Sequence, residues 1–166
     1  MTRRIAGLQW TALAENPWPA PRASGAKGRG LRFERAVAKA LPGVLHGQWF
    51  KFFDNNGKGF CSPDLLFVCG GRLIVGECKL SDWDEADVQL LSLYIPVLRT
   101  FWQDEILPVV VAKYLTPFTQ KSRVVGTWDA ALAHPAPILH SFNLKMLAPP
   151  TASFSPPTWN TSCITL

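Results

Sequence analysis

The apolar positions of this chain fall into short blocks whose spacing changes from one block to the next. The clearest runs from Pro63 to Lys79, where Leu65-Leu66-Phe67-Val68-Cys69 and Leu73-Ile74-Val75 flank Gly70-Gly71-Arg72. Two apolar runs joined by Gly-Gly predict a two-residue β-hairpin, because both central residues of such a turn need φ > 0. With Gly70-Gly71 as the turn, Cys69 pairs with Arg72, paired residue numbers sum to 141, and Asp64 falls opposite Glu77. Leu66, Val68, Leu73 and Val75 then share a face with the two acids, while Leu65, Phe67 and Ile74 take the other. Strands apolar on both faces predict helices covering both sides, hence an α/β layer structure.

The remaining blocks supply those helices and further strands. Leu31 to Leu41 reads as a helix, with Phe33, Val37, Ala40 and Leu41 at helical spacing and Pro42-Gly43 as the stop. His46 to Phe53 predicts a strand from its aromatic residues, followed by a turn or loop from Asp54 to Gly59. Ser81-Asp82-Trp83-Asp84-Glu85 starts a helix that runs through Gln89 to about Ile95. Pro96 kinks or breaks it before a second piece ending at Phe101 or Trp102. Leu107 to Tyr114 is a buried strand, Thr119 to Val125 holds a short one, and Trp128 to Ala133 is a short helix.

The ends differ in composition. Residues 1–30 read as a basic flexible arm, with an apolar stretch from Ile5 to Leu13, a proline cluster, and a glycine-rich linker from Gly25 to Gly30. Residues 134–166 form a Pro/Ser/Thr-rich tail in which Lys145 is the single charge, and irregular structure is expected there. Between them, residues 31–133 form the domain.

At 166 residues and 48% apolar content, the chain suffices for one domain with a true core. The formal charge of +5 is concentrated: residues 1–35 carry seven cations against two acids, and residues 36–166 carry ten of each. Such an excess favours a polyanionic partner. No apolar run reaches membrane-spanning length and the start lacks a signal-peptide core, so a soluble cytoplasmic protein with no membrane partner is expected. The four cysteines have no C-x-x-C spacing and read as reduced, mostly buried thiols rather than zinc ligands.

The hairpin register is what introduces chemistry. Directly opposed carboxylates, with Cβ atoms about 4.5–5.5 Å apart, repel each other. Asp64 and Glu77, at the end of an apolar hairpin, therefore need a cation, and their hard oxygens suit Mg²⁺ or Mn²⁺. Lys79, two residues beyond Glu77, emerges on the same face.

Pro63-Asp64, twelve intervening residues and Glu77-Cys78-Lys79 resemble the signature of the PD-(D/E)XK nuclease superfamily. The resemblance spans roughly residues 28–115 and implies a restriction-endonuclease-like αβββαβ core, a mixed central sheet flanked by helices. It implies that Asp64, Glu77 and the backbone carbonyl of Cys78 hold one or two divalent ions while Lys79 orients or deprotonates water. Lys27-Gly28 through Glu34 is similar to the Lys-Gly-x-x-x-Glu start of archaeal-type Holliday-junction resolvases, with the Glu later in the stretch. In that family the first-helix Glu supports the metal site, directly or through water; the alternative for Glu34 is a surface pair with Arg35 or Lys39. Gln89 lies where related nucleases place a glutamine near the metal. In the RecB-like form a Tyr follows it by four residues; here Tyr94 follows by five. Lys27, Arg29, Arg32 and Lys58 are the candidate DNA contacts, each of which also reads as a solvated cation.

The implied activity is Mg²⁺- or Mn²⁺-dependent DNA hydrolysis by a structure-selective endonuclease on branched DNA. Resolving a four-way junction takes two cuts, so a homodimer is expected, and the resemblance points to a prokaryotic or phage source. The alternatives are a sequence-specific or single-strand-directed nuclease of the same superfamily, and a non-catalytic DNA-binding protein on a nuclease-like fold.

Overall fold

The Gly-Gly hairpin forms, and in the register set by its turn. In the computed structural model it comprises β4 (Leu65–Cys69) and β5 (Arg72–Lys79), antiparallel, with Leu65 opposite Gly76 and Cys69 opposite Arg72. Gly70 and Gly71 have φ of 59° and 78°, as the turn requires. The structure describes residues 3–18, 24–81, 83–115, 124–125, 127–134, 138–140 and 152–159. Ahead of the hairpin come β1 (Trp10–Ala14), α1 (Gly25–Ala40), β2 (Trp49–Asp54) and β3 (Gly57–Cys61). After it come α2 (Trp83–Gln89), a π-helical turn (Leu90–Tyr94), α3 (Ile95–Leu98), β6 (Ile106–Ala112), β7 (Val124–Val125), α4 (Trp128–Leu132), β8 (Ile138–His140) and β9 (Phe154–Ser155).

The molecule is mixed α/β with two sheets. The larger has the order β7-β8-β6-β5-β4-β9, with β7, β8, β6 and β5 parallel and β4 and β9 antiparallel to their neighbours. Its faces are covered separately. Leu65, Phe67 and Ile74 pack with Phe33, Val37 and Leu41 at α1 and with Trp128 of α4. Leu66, Leu73 and Val75 pack with Leu90, Val97 and Phe101 of the α2–α3 segment and with Phe50 and Phe52 of the second sheet. The partition of hairpin side chains between two faces is the one their alternation predicts.

Several expectations are corrected. The aromatic strand predicted at His46 to Phe53 forms as β2, but in a separate antiparallel sheet of order β1-β2-β3, not in the mixed sheet of a simple αβββαβ core. Among the described residues, one isolated backbone bridge, Leu45 with Leu66, links the chain ahead of β2 to the larger sheet. The turn or loop expected across Asp54 to Gly59 is a tight turn at Asn55-Asn56, and residues 57–59 already belong to β3. The arm is not free of structure: residues 10–14 pair with β2, and the linker expected at Gly25 to Gly30 is the start of α1. Each interior glycine costs a helix about 1 kcal/mol relative to alanine. Docking of Phe33 and Val37 on the sheet offsets that propensity, which the composition of the stretch cannot reveal. In the expected irregular tail, residues 138–140 and 154–155 are strands, and Trp159 packs edge-on against Phe50, its ring centroid 5.5 Å away.

The break expected at Pro96 does not form: the proline stands at the start of α3, inside one uninterrupted helical run from α2 through the π-turn. Pro96 lacks the N–H that would bond the Ser92 carbonyl, and that carbonyl instead accepts the backbone N–H of Ile5 at 3.0 Å. Arg3 donates to the buried Asp54 carboxylate and to the Gly57 carbonyl (2.8 Å), clamping the β2–β3 turn.

Candidate active site

Where the hairpin register runs out, the acids begin. Continuing the 141 sum places Asp64 opposite Glu77 and Pro63 opposite Cys78. Residues 69 and 72 flank a two-residue turn and form a hydrogen-bonded pair, so by alternation 63 and 78 would form another. Proline has no N–H to give, so the Cys78 carbonyl receives no ladder bond from that side. The Cys78 N–H points the same way and donates to Asp64 Oδ2 at 2.7 Å. One proline therefore ends the ladder, frees a carbonyl and leaves an amide to hold the aspartate.

Glu77 is 4% exposed, at the end of the β5 face that packs into the core. Its Oε1 accepts from Lys79 Nζ at 2.9 Å, while its Oε2 is buried without a hydrogen-bond partner. Lys79 Nζ also donates to Gln89 Oε1 at 3.3 Å, Gln89 Nε2 bonds the Tyr94 hydroxyl, and that hydroxyl donates to the Ser62 carbonyl at 3.3 Å. A chain of polar contacts thus runs from Glu77 through α2 to the backbone just before Asp64. The π-turn explains the five-residue spacing: one extra residue per turn brings Gln89 and Tyr94, five apart, onto one face and into contact.

These groups open onto a cleft of about 390 Å³ lined by Lys27, Leu31, Glu34, Asp64, Glu77 and Lys79, among others. Burial pushes the Asp64 carboxyl well above the usual carboxylate range, and the Glu77 and Glu34 charges push it the same way. Burial also raises Glu77, although Lys79 opposes the shift. For Lys79 burial acts downward, but the Glu77 carboxylate outweighs it and the net direction is up, so the side chain stays an ammonium ion. Burial raises the Cys78 thiol strongly; its side chain packs into the core on the α1 side, as its position opposite in phase to Glu77 demands.

Of the residues singled out from the sequence, Asp64, Glu77, Lys79 and Gln89 come together. Glu34 lines the same cleft, near enough for its charge to act on Asp64 and Glu77, while its Oε1 lies 2.7 Å from His46 Nε2. No sequence spacing marks that His–Glu contact, because it joins α1 to the loop after it. Lys27 lines the cleft, while Arg29 and Arg32 are exposed along α1. Lys58 does not line the cleft; it stands on β3 with Nζ 5.5 Å from the Phe60 ring centroid. Glu85, expected only as an acid in the first turn of α2, also lines the cleft.

Among the described residues, no three His, Cys, Asp or Glu side chains form a closed metal cage. The donors are instead two carboxylates, one with an unpaired buried oxygen, and a carbonyl with no ladder bond. That hard-oxygen set fits Mg²⁺ or Mn²⁺, which bind through one or two carboxylates and complete their shells with water and substrate phosphate. Comparison of the chain with protein-family models, with curated proteins and with solved structures finds no match.

Proposed function

We propose that this chain is a divalent-metal-dependent DNA endonuclease on a restriction-endonuclease-like core, built around Asp64, Glu77 and Lys79. The observation that carries the reading is the buried, unpaired Oε2 of Glu77 beside Asp64 and the Lys79 ammonium. A carboxylate so placed is costly unless a cation meets it.

Asp64, Glu77 and the Cys78 carbonyl are the residues that would hold the ion. When bound, a divalent ion supplies Lewis acidity at the phosphate and lowers the pKa of a coordinated water. Lys79, kept protonated by Glu77, orients the attacking water and offsets charge as the phosphorus becomes five-coordinate. As an ammonium it has no lone pair with which to take the water's proton. Gln89 holds Lys79 in place, and Tyr94 holds Gln89. The cations of α1, Lys27, Arg29, Arg32, Arg35 and Lys39 against the lone Glu34, supply the sequence-independent attraction for the phosphate backbone. Selectivity for branched DNA and a homodimer making paired cuts remain the reading of choice on the resolvase-like start of α1.

The test incubates the protein with four-way junction, flap, single-stranded and linear duplex DNA, in Mg²⁺, in Mn²⁺ and in EDTA, beside Asp64→Ala and Lys79→Ala. Metal-dependent cutting should fall by roughly 100-fold or more in both variants. Paired symmetric nicks confined to the junction would identify a resolvase. Binding without cutting in every metal would leave a DNA-binding protein and end the catalytic reading.

A further inference from the structure

We propose that the outer face of the β1–β2–β3 sheet binds the unpaired bases of single-stranded DNA. The inner face of this sheet already supplies its share of core through Phe50, Phe52 and Cys61. A solvent-facing antiparallel surface is ordinarily polar. Here the outward positions are mostly aromatic and basic, Trp10, Trp49, Lys51, Phe53, Lys58 and Phe60, with the small residues Ala12 and Ala14 of β1 between them. The cross-strand register sets Trp10 opposite Phe53, Lys51 opposite Phe60 and Phe53 opposite Lys58.

The rings form two groups on this face, with Lys51 and Lys58 among them. Trp10 stacks on Phe53 with centroids 4.1 Å apart. Trp18, 54% exposed, stands edge-on to Trp49 at 5.3 Å and to Phe60 at 5.7 Å, making a wall beside it. Lys51 Nζ lies 4.9 Å from the Trp10 centroid and 5.5 Å from that of Phe53, and Lys58 sits likewise over Phe60. The outward residues of the three strands include no acid; Asp54 faces inward and is paired with Arg3. Aromatic faces interleaved with lysines are the chemistry that stacks successive bases and neutralises the phosphates between them. The choice of DNA rests on the nuclease reading of the adjoining cleft, since stacking and phosphate contacts alone do not distinguish the two sugars. This face is also joined to the cleft: only three residues lie between Phe60 and Asp64, a span of at most about 14 Å of extended chain. A duplex buries its base faces, so this surface selects unpaired stretches, such as those at a branch point or a flap.

The surface stands apart from the metal chemistry, and its test reads binding in EDTA, where cutting plays no part. Labelled oligothymidylate about 16 nucleotides long, its duplex with oligoadenylate, and the matching oligouridylate are titrated with the full chain. Anisotropy and tryptophan fluorescence are followed together. The expected result is tighter binding of the single strand than of the duplex, with tryptophan quenching. In Trp18→Ala and in Phe60→Leu, single-strand affinity should fall roughly 5- to 100-fold with duplex affinity held within about twofold and an unchanged melting temperature. Equal affinity for single strand and duplex would overturn the proposal, as would unchanged oligothymidylate affinity in both variants or a clear preference for the RNA. A concentration-dependent dimer abolished by the same substitutions would overturn it too, by assigning the face to a second copy of the chain. Single-strand binding without metal-dependent cutting would uphold this surface while removing the nuclease reading.

Discussion

Glu77 sits under two opposed demands: packing at the end of β5 removes it from water, and Lys79 satisfies only one of its two oxygens. Removing Lys79 takes away the cation and the Oε1 hydrogen bond of a buried carboxylate, with only the Tyr94 hydroxyl left beside it. Lys79→Met is therefore expected to destabilise the metal-free protein by roughly 2–3 kcal/mol in urea melts, below the full cost of breaking a buried pair because the Lys79 side chain is 21% exposed. Titration gives a second prediction. Asp64 and Glu77 are both shifted upward, chiefly by burial. Over some range above about pH 4, the native state thus holds protons that the unfolded chain has already lost. Metal-free stability from these groups falls as pH rises through that range. Asp64→Asn should accordingly gain on the wild type in EDTA melts as pH rises from about 4 to 8. A difference independent of pH would show that Asp64 is not raised. Added Mn²⁺ should stabilise the wild type at neutral pH, by an amount set by concentration over Kd, and Glu77→Gln should lose that gain. Asp64, Glu77 and Lys79 were legible in the sequence, because a hairpin register is arithmetic once its turn is known, whereas Gln89 was singled out by resemblance alone. The Glu34–His46 contact was not, because nothing local relates a helix face to the loop that follows it.

Among the elements, the α2–α3 segment shows how one residue type sets a long-range contact. Pro96 leaves the Ser92 carbonyl without its helical donor, and Ile5 fills the vacancy from the other end of the chain. Pro96→Ala restores the competing N–H. It should raise hydrogen exchange at the Ile5 amide while changing global stability by no more than about 1 kcal/mol, the net worth of one such bond. Unchanged protection at Ile5 would mean that other contacts hold the segment. The missing donor at Pro96 was legible, since it is a property of the residue itself, but the break expected there does not form, because α3 (Ile95–Leu98) runs through the proline. The π-turn before it was not legible, nor were β1 and β3. Trp10-Thr11-Ala12-Leu13 gains its strand identity from pairing with β2, and Thr11 is tied in by the Thr100 hydroxyl far along the chain. Gly59 shows the same dependence: a Cβ there would lie 2.4 Å from the Phe52 ring, so a glycine that reads as loop is a strand residue placed under an aromatic side chain.

For the molecule as a whole, the charge excess gathers on one helix. With five cations and one acid on α1, DNA affinity should fall steeply with salt, and Arg32→Glu should weaken binding across all sequences. Each phosphate contact removed should flatten the log–log salt slope by about 0.9. A slope unchanged in Arg32→Glu would place the DNA elsewhere. The packing of the far C-terminal segment is a second global feature. Trp159 lies against Phe50 and Phe101, and Phe154 against Phe67, on opposite sides of the larger sheet. Trp159→Ala is expected to cost about 2 kcal/mol in chemical denaturation, less than a fully buried tryptophan because this one is half-buried.

The sequence by itself determined the hairpin, its register, the two-faced burial of its strands and the meeting of Asp64, Glu77 and Lys79, because each follows from spacing along one short stretch. It also determined the missing donors at Pro63 and Pro96. Only the tertiary structure decided that the aromatic strand leaves the main sheet for a second one and that glycine-rich residues 25–30 are helix. It alone joined Gln89 to Tyr94 across a π-turn and brought the aromatic residues of the second sheet onto one outer face. Those outcomes depend on which surfaces are left to bury once the hairpin and its helices have packed, a quantity that no single segment carries.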